Sequence, residues 1–451
     1  MTTRNHLAFG GLALLVWASG CDGSDRICPT EHCLSVAVSV PSTATANIVE
    51  VMIRDGERLT RHRMVGHAAT SGEWLLPVDS AESSSSRRAV YVRAFVEETR
   101  TRSELVGYAA GFELDGAVTV PISRCEQVPC SSPGPRRSAA MTYVPSTRQI
   151  LLHGGLSETG ELLDDLWAWN GLWWQRLETS QAPSARAQHG LAFDPASENV
   201  LLFGGLGTQG ELGDTWLLDV ASVAWKRALV ASPGARRDFG LAQSQVGSTR
   251  GLMLFGGQDE SAEVLGETWL WNGLHWLPGP SSPCPLRALL PSTMPRCRTG
   301  ATLLPWQQGQ ETILVGGWLG PQPSMSLEAD DSLWRWDGSS WLLAPLYRPP
   351  YVLSRYRHVA APLLSSTGFQ GALVGFGDDS TGLRQDSYLL SAADGTFQPL
   401  WSDAPSPRAE SASAFDAERE EVVIFGGRTA TGLSAETLTF STSVGYQRHG
   451  Q

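Results

Sequence analysis

The sequence of 451 residues almost lacks lysine: Lys226 is the only one, and arginine supplies every other strong cation. Acidic residues outnumber lysine plus arginine by 46 to 34, which gives a formal net charge of −12. A protein that binds nucleic acid needs a basic face to neutralise phosphates. The charge balance therefore predicts that nucleic acid is not a partner.

Long apolar runs are missing after the first twenty residues, so no later segment is predicted to span a bilayer. Residues 1–20 have the arrangement of a secretory signal, with a positive charge at Arg4 followed by the short apolar stretch LAFGGLALLVW. The small residues ASG before Cys21 resemble the lipobox of bacterial lipoproteins. This resemblance implies acylation of Cys21 and a lipid anchor in the outer or inner membrane of the cell envelope, facing the periplasm or the cell surface. A plain signal peptide is the alternative.

Cysteine is scarce as well, with six residues after Cys21, an even number that suits an oxidising compartment. They fall into three pairs that are close in sequence, and we predict a disulfide within each: Cys28 with Cys33, Cys125 with Cys130, and Cys284 with Cys297. A zinc site at the first two pairs, with His32, is the alternative.

Motifs that carry chemistry are also absent. The sequence contains no His-Glu-x-x-His, P-loop, Gly-x-Ser-x-Gly or EF-hand loop. We therefore predict no catalytic residue, no metal and no cofactor. A calcium site among acidic turn residues such as Asp378-Asp379-Ser380 stays open. His189 and His358 share one face of a predicted first strand, where they are either a functional pair in a channel or buried structural residues.

Residues 34–130 contain short runs with period-two alternation, such as SVAVSV and AVYVRAFV, which is typical of strands. They predict a small β-sandwich. Residues 21–33 before it are predicted to be an anchor and tether. The Pro- and Gly-rich stretch 131–135 after it reads as a linker.

Residues 136–451 repeat six times with a period of roughly 50 residues. Each unit has an arginine, then an apolar run that ends in a glycine pair, then an acid followed by a large apolar residue two positions on, then one more aromatic. The arginines are Arg136, Arg186, Arg236 or Arg237, Arg298, Arg357 and Arg408, and the glycine pairs start at Gly154, Gly204, Gly256, Gly316, Gly375 (with Phe376 as the second residue) and Gly426. The acids are Asp165, Asp214, Glu267, Asp331, Asp386 and Glu436, and the later aromatics are Trp174, Trp225, Trp276, Trp341, Phe397 and Tyr446.

These features in this order resemble the kelch repeat. The resemblance implies four strands a unit and an all-β, six-bladed β-propeller over residues 136–451. We expect the arginines to be structural, the acids to accept hydrogen bonds from backbone amides near the glycine turn, and the aromatics to fill the gaps between blades. Phe376 suggests a shifted turn in the fifth unit. Kelch enzymes that resemble galactose oxidase use a tyrosine–cysteine crosslink and histidine ligands to copper, and this sequence lacks that set.

Three connections around the fourth unit are enlarged: 278–295, 318–330 and 344–354. In a four-stranded antiparallel blade, fourth-to-first and second-to-third connections emerge on the same face, so these loops are expected to surround one site. Their candidate binding residues are Trp318, Met325, Tyr347, Arg348 and Tyr351. The predicted function is binding of a protein or glycan at the envelope. A kelch enzyme acting on a carbohydrate and a purely structural assembly protein are the alternatives, and neutral drift would also enlarge loops.

Overall fold

The computed structural model describes the strands within residues 33–124, and residues 132–449 with gaps at 172, 247, 283–292, 307–309, 321–331, 345–353, 366–367, 380, 401–404 and 443–444. Every regular element in this part of the chain is a β-strand. No helix among these residues is long and apolar enough to cross a membrane. The chain divides into two compact units, residues 1–99 with 103–124, and residues 100–102 with 125–451.

The first unit contains two sheets. Its strands are β1 (Cys33–Ser39), β2 (Ile48–Asp55), β3 (Arg58–Val65), β4 (Gly72–Pro77), β5 (Arg88–Phe95), β6 (Ser103–Ala110), β7 (Ala117–Pro121) and β8 (Ser123–Arg124). One sheet has the order β4-β1-β7, and the other has the order β3-β2-β5-β6-β8. Val51 and Ile53 on β2 are both buried, as the predicted alternation requires. The packing of the two sheets into a sandwich stays a prediction.

The second unit contains six four-stranded antiparallel sheets in its described residues, here called blades 1 to 6. Blades 1 to 3 are β10 (Ala140–Val144), β11 (Gln149–Ser157), β12 (Leu162–Trp169) and β13 (Trp174–Leu177); β14 (Gly190–Asp194), β15 (Asn199–Gly207), β16 (Gly210–Asp219) and β17 (Ala224–Ala228); and β18 (Gly240–Val246), β19 (Thr249–Phe255), β20 (Glu267–Trp271) and β21 (Trp276–Ser281). Blades 4 to 6 are β22 (Thr302–Trp306), β23 (Glu311–Val315), β24 (Trp334–Trp336) and β25 (Trp341–Leu343); β26 (Val359–Ser365), β27 (Gly368–Gly375), β30 (Ser387–Ser391) and β31 (Phe397–Pro399); and β33 (Ala412–Asp416), β34 (Glu421–Phe425), β37 (Thr437–Ser441) and β38 (Gly445–His449). Short strands join the connections at β9 (Arg136–Arg137), β28 (Asp378–Asp379), β29 (Gly382–Leu383), β32 (Arg408–Ala409), β35 (Arg428–Thr429) and β36 (Gly432–Leu433).

The blades form a closed ring. The first strand of each blade contacts the first strand of the next, and blade 6 contacts blade 1 in the same way. One cluster of buried apolar side chains lies between each pair of neighbouring blades. Between blades 2 and 3, for example, the rings of Phe203 and Trp276 have centroids 5.2 Å apart. Each blade is one contiguous segment, so the ring closes without exchanging a strand between its ends.

Two closed rings of backbone hydrogen bonds join the blades. In the inner ring, one amide before the first strand of each blade donates to the corresponding carbonyl of the preceding blade, over 2.7 to 3.0 Å. Its members are Ser138, Gln188, Asp238, Gly300, Arg357 and Glu410. In the outer ring, the second residue of each glycine pair donates to a carbonyl of the next blade, over 2.8 to 2.9 Å. Both rings include a bond between blades 6 and 1, so backbone hydrogen bonds, in addition to the apolar cluster there, connect the two ends of the unit.

The glycine pairs make this close approach of the blades feasible. Gly154 has φ 63°, and a Cβ on it would lie 2.6 Å from the carbonyl oxygen of Arg186 in blade 2. Gly155 has φ 109°, and its Cβ would lie 2.9 Å from the carbonyl oxygen of Arg137. Both the backbone conformation and the space therefore favour glycine at this turn.

Each repeat arginine is buried, and in blades 1, 2, 3 and 5 its guanidinium forms a clasp, meaning the bonds to the carbonyl oxygen of the first residue of the glycine pair and to the repeat acid. Among the described residues, blade 4 shows the bond from Arg298 to Gly316, and blade 6 shows the bond from Arg408 to Glu436. Arg186 donates to the carbonyl oxygen of Gly204 at 3.0 Å and to both carboxylate oxygens of Asp214 at 2.8 and 3.0 Å. The indole of Trp216 donates to the same carboxylate at 2.7 Å. The acids thus accept hydrogen bonds chiefly from arginine and tryptophan, and the expectation that they serve the backbone amides of the turn is wrong.

Blade 5 corrects two further expectations. The clasp arginine is Arg355, which donates to the carbonyl oxygen of Phe376 at 2.9 Å and to Asp386 at 2.8 Å, whereas Arg357 belongs to the inner ring. Phe376 takes the place of the first glycine, with φ 60°, and Gly377 takes the place of the second. The turn is therefore not shifted. Instead, a buried phenylalanine adopts the left-handed conformation itself, where its ring packs 5.8 Å from that of Tyr446.

Candidate functional site

The inner amide ring surrounds one end of the central channel, and we call this end the channel mouth. All six of its residues have φ between 51° and 64°, which turns each chain into its first strand. The residue before each ring member pairs with the residue after the glycine pair of the same blade, as in the bridges Ala187–Leu206 and Thr299–Trp318. The fourth-to-first and second-to-third connections therefore meet on this face.

Arg357 crosses the channel mouth. Its Nε donates to Asp238 at 2.8 Å, and its Nη1 lies 3.3 Å from a carboxylate oxygen of Glu410. Arg357 belongs to blade 5 and Asp238 to blade 3, so the side chain passes over the inner-ring residue of blade 4. That residue is Gly300, on which a Cβ would lie 3.1 Å from Cγ of Arg357. Its lack of a side chain leaves the room that Arg357 occupies.

The charges at the mouth are arranged in two layers. Besides Arg357, three arginines pair with buried acids: Arg137 with Glu410, Arg237 with Glu211 at 2.9 Å, and Arg428 with Asp378 at 2.8 Å. The four arginine side chains are 25% to 40% exposed, whereas Glu410, Asp378, Glu211 and Asp238 are only 3% to 14% exposed. The formal charges balance, but the positive groups face the solvent and the negative groups lie beneath them.

This pairing changes the titration of the mouth residues. Burial alone would raise the pKa of Glu410, but Arg357, Ser138 and Arg137 together hold that pKa below its ordinary value. The nearby carboxylate of Asp238 raises the pKa of the Arg357 guanidinium. Burial raises the pKa of the Tyr356 phenol, and Asp378 adds to the effect. Glu410 and Arg357 therefore stay ionised, and the Tyr356 phenol stays neutral, over the physiological pH range.

The mouth also contains apolar side chains. The residue after the glycine pair is Leu156 in blade 1, Leu206 in blade 2 and Trp318 in blade 4, and each is half-buried. Trp318 exchanges two backbone hydrogen bonds with Thr299, at 2.8 and 2.9 Å. Its indole Nε1 is buried and has no hydrogen-bond partner within the described part of the chain. The mouth thus combines partly exposed arginines with half-buried apolar side chains, and the two kinds are interleaved around the ring, with Arg237 of blade 3 between Leu206 and Trp318.

The predicted site residues have different outcomes. Trp318 lies at the mouth, where an enlarged loop begins, and its binding role stays a prediction. Met325, Tyr347, Arg348 and Tyr351 lie outside the described residues, and the same is true of Cys21, Cys28, Cys125, Cys130 and Cys284. Cys33 lies in β1, and Cys297 is buried and disulfide-bonded. The predicted cysteine pairings stay predictions, because no pair has both side chains described.

Sequence reasoning missed the four mouth arginines. It assigned Arg357 to the clasp, and it treated Arg237 as an alternative clasp residue. A usable signal was present, because a second arginine follows the clasp arginine directly in Arg136-Arg137 and Arg236-Arg237. One arginine of each doublet is engaged in the clasp, which leaves the next one for the mouth.

Of the two alternatives for His189 and His358, the structure does not show the functional pair in a channel. His189 and His358 belong to blades 2 and 5, which are not neighbours, and both are buried. His189 instead pairs with His153 of blade 1, with Nε2 of His189 3.1 Å from Nδ1 of His153. Among the described residues, no three His, Cys, Asp or Glu side chains are grouped to hold a metal ion. Asp378 and Asp379, named for a possible calcium site, are bound by Arg428 and Arg384.

The ring of blades, the glycine pairs and the arginine clasps define an all-β, kelch-type β-propeller. In the comparison with family models, residues 120–276 match the one described as the KLHDC2/KLHL20/DRC7 Kelch-repeats domain. Among solved structures, the protein is similar to the one titled "Structure of YjhT", with 13% identity, a TM-score of 0.52, and coverage of 71% of this chain and 99% of that chain. No curated protein matches. At this identity the likeness shows the fold.

Proposed function

We propose that the propeller is a binding module and that its ligand binds at the channel mouth. One observation carries this proposal: the inner-ring residue at the mouth is of a different type in each of the six blades. At equivalent positions the blades have serine, glutamine, aspartate, glycine, arginine and glutamate, whereas an arginine stands two residues before this position in all six blades. A surface whose residues differ from one repeat to the next on a regular backbone scaffold is typical of a recognition site.

The chemistry of the mouth favours a ligand with an anionic group. Arginine offers several N–H donors in a planar fork that matches carboxylate and phosphate. At this mouth the buried acids use some of those donors to orient Arg137, Arg357 and Arg428, and the outer parts of the guanidinium groups remain exposed. An anion would therefore meet preoriented donors, while an adjoining apolar part of the ligand would pack against Trp318.

The partner that we propose is a protein or glycan with carboxylate or phosphate groups at the cell envelope. The secretory signal and the lipobox-like sequence before Cys21 support this location, with the protein held to a membrane by a lipid on Cys21. The enlarged loops around blade 4 would extend the contact beyond the mouth, with Met325, Tyr347, Arg348 and Tyr351 as candidate residues. Trp318 connects the two proposals, because it lies at the mouth and begins one of these loops.

Crosslinking mass spectrometry in the native envelope tests the proposal. The full-length protein would be compared with Arg428→Gln and Trp318→Ala, which change a charged and an apolar residue of the mouth separately. Arg176→Gln is the matched control, because Arg176 lies on the outer strand β13 and is 57% exposed. We expect a partner that is captured by the native protein and by Arg176→Gln but is lost from both mouth variants.

Affinity for that partner would then be measured as a function of salt. We expect Arg428→Gln to weaken binding by about tenfold and to flatten its salt dependence, because it removes one charge-assisted contact. Trp318→Ala should weaken binding and leave the salt dependence unchanged. Equal capture by all four proteins, or no partner for any of them, would contradict a binding mouth.

A further inference from the structure

The interface between blades 1 and 2 contains two buried imidazoles in direct contact. Nδ1 of His153 lies 3.1 Å from Nε2 of His189, and the rings meet edge to face with centroids 5.0 Å apart. A hydrogen bond between them requires one nitrogen to donate and the other to accept. If both rings were protonated, every ring nitrogen would be a donor and this bond would be lost. The contact therefore exists only while at least one ring is neutral.

The remaining ring nitrogens also lack partners. Nε2 of His153 and Nδ1 of His189 are buried and accept or donate no hydrogen bond within the described part of the chain. The indole Nε1 of Trp225 is also buried without a hydrogen-bond partner among these residues, and its ring centroid lies 5.8 Å from that of His153. Apart from the other imidazole, neither histidine has a hydrogen-bond acceptor among the described residues that would stabilise an added proton.

The charged groups that face the pair disfavour protonation. Arg186, just before His189 in the same connection, and Arg136 of blade 1 are both positive and buried. Asp165 on β12 is the one acid that acts on His153 from these elements. Its carboxylate is already bound by the guanidinium of Arg136, at 2.6 and 2.8 Å, and by the indole of Trp167. The acid is thus neutralised by a fixed partner.

The neighbouring interface shows that histidine is not required at these positions. Phe203, which precedes the glycine pair of blade 2, corresponds to His153, and Phe239, which follows the inner-ring residue of blade 3, corresponds to His189. The two phenylalanine rings have centroids 5.5 Å apart, close to the spacing of the histidine rings. An apolar ring pair therefore fits the same backbone.

We infer that the His153–His189 pair makes the interface of blades 1 and 2 an acid-sensitive joint, closed while the rings are neutral and loosened when a proton enters. His189 directly follows Gln188 of the inner ring and packs against Gly205. A displacement of His189 would therefore also displace the inner-ring backbone at the channel mouth. The inference does not depend on what the mouth binds.

The direction of the pH effect follows from the burial of the pair. Burial lowers the pKa of His153 from 6.5 to about 3, and Arg186 adds to the effect. Burial, then His153 and Arg186, lower the pKa of His189 well below its usual value. A group whose pKa is depressed on folding stabilises the folded state above its unfolded-state pKa. That contribution is lost as the pH falls below about 6.5.

The test is the pH dependence of unfolding, measured with denaturant on the full chain between pH 7 and 4.5. The double variant His153→Phe/His189→Phe reproduces the Phe203–Phe239 pair, and His358 remains in both proteins as an internal constant. From pH 6.5 to 4.5, the unfolding equilibrium constant of the native protein should rise about 2,500-fold more than that of the double variant, since each of the two histidines contributes about 50-fold. Equal pH dependence in the two proteins would overturn the inference.

Hydrogen exchange on the native protein gives an independent readout, which holds even if the double variant fails to fold. The amides of Gly155 and Gln188 bridge blades 1 and 2, and those of Gly205 and Asp238 bridge blades 2 and 3. After correction for intrinsic rates, protection of the first two should fall between pH 7 and 4.5, while the second two stay protected. An equal loss at both interfaces would show that acid acts on the whole ring and not at the histidine pair.

Discussion

The interface between blades 2 and 3 and the interface between blades 1 and 2 share one backbone design but differ in what fills it. In both, an inner-ring amide and an outer-ring amide connect the blades. Between blades 2 and 3 the filling is regular: Phe203 packs on Phe239, and the indole of Trp276 donates to the hydroxyl of Thr215 at 3.0 Å. Between blades 1 and 2 the equivalents are a histidine pair and a Trp225 indole that has no acceptor among the residues the structure describes.

The difference indicates that the closed ring is specified by the backbone rings and the clasps, while the filling of each interface is free to vary. Leu166 explains the missing acceptor, because it takes the place that Thr215 has in blade 2, between the repeat acid and its aromatic. Leu166 and Trp225 share one buried apolar cluster. If this account is correct, damage to a clasp or a glycine pair should cost more stability than exchange of the filling.

The largest effect is expected at the clasp. Arg186→Ala should lower the free energy of unfolding by about 3 to 5 kcal/mol, because it leaves the 15%-exposed carboxylate of Asp214 without its charge partner. Arg236→Ala should cost less, since its partner Glu267 is 42% exposed and solvent can replace the lost contact. Urea unfolding of both variants checks the order. Equal costs would show that the bond to the glycine carbonyl, and not the ion pair, carries the clasp.

A smaller effect is expected at the first glycine of each pair. Gly154→Ala and Gly204→Ala should each cost about 2 to 4 kcal/mol, because both have a left-handed φ and a Cβ would approach a backbone carbonyl oxygen to 2.6 and 2.8 Å. Gly234→Ala is the control, since its Cβ would meet only Nη2 of Arg236 at 3.8 Å. Thermal unfolding distinguishes the cases. A much larger loss for Gly154 than for Gly204 would mean that the histidine filling, and not the shared backbone, sets the cost.

The sequence predicted the parts of this design that lie within one repeat. Glycine pairs, acids and aromatics recur at fixed local spacings, so the four strands of each blade and the packing role of residues such as Trp276 follow from the period. The clasp in blade 5 was misassigned because Arg357, and not Arg355, has the spacing to the glycine pair that is seen in other units. The sequence alignment of this unit was off by one residue, because Phe376 takes the place of the first glycine and its φ of 60° cannot be recognised from the sequence.

The mouth and the histidine pair could not be predicted because their contacts join different blades. Arg357 reaches Asp238 only because Gly300 of the blade between them has no side chain. His189 was compared with His358 by its position in the strand, yet its partner is set by which blades are neighbours. Position within a repeat says where a residue points, and the order of blades around the ring decides what it meets.

The smallest effect tests whether the filling can be exchanged. Thr215→Val should make the interface of blades 2 and 3 resemble that of blades 1 and 2, because it removes the acceptor of the Trp276 indole without changing the volume. The expected cost is about 1 kcal/mol, the loss of one buried hydrogen bond that leaves a donor unpaired. In a Trp276→Phe background, where no donor exists, the same substitution should cost almost nothing. A full double-mutant cycle by urea unfolding measures this coupling. A cost that persists in the phenylalanine background would show that Thr215 acts through packing, and the two interfaces would then differ by shape and not by one hydrogen bond.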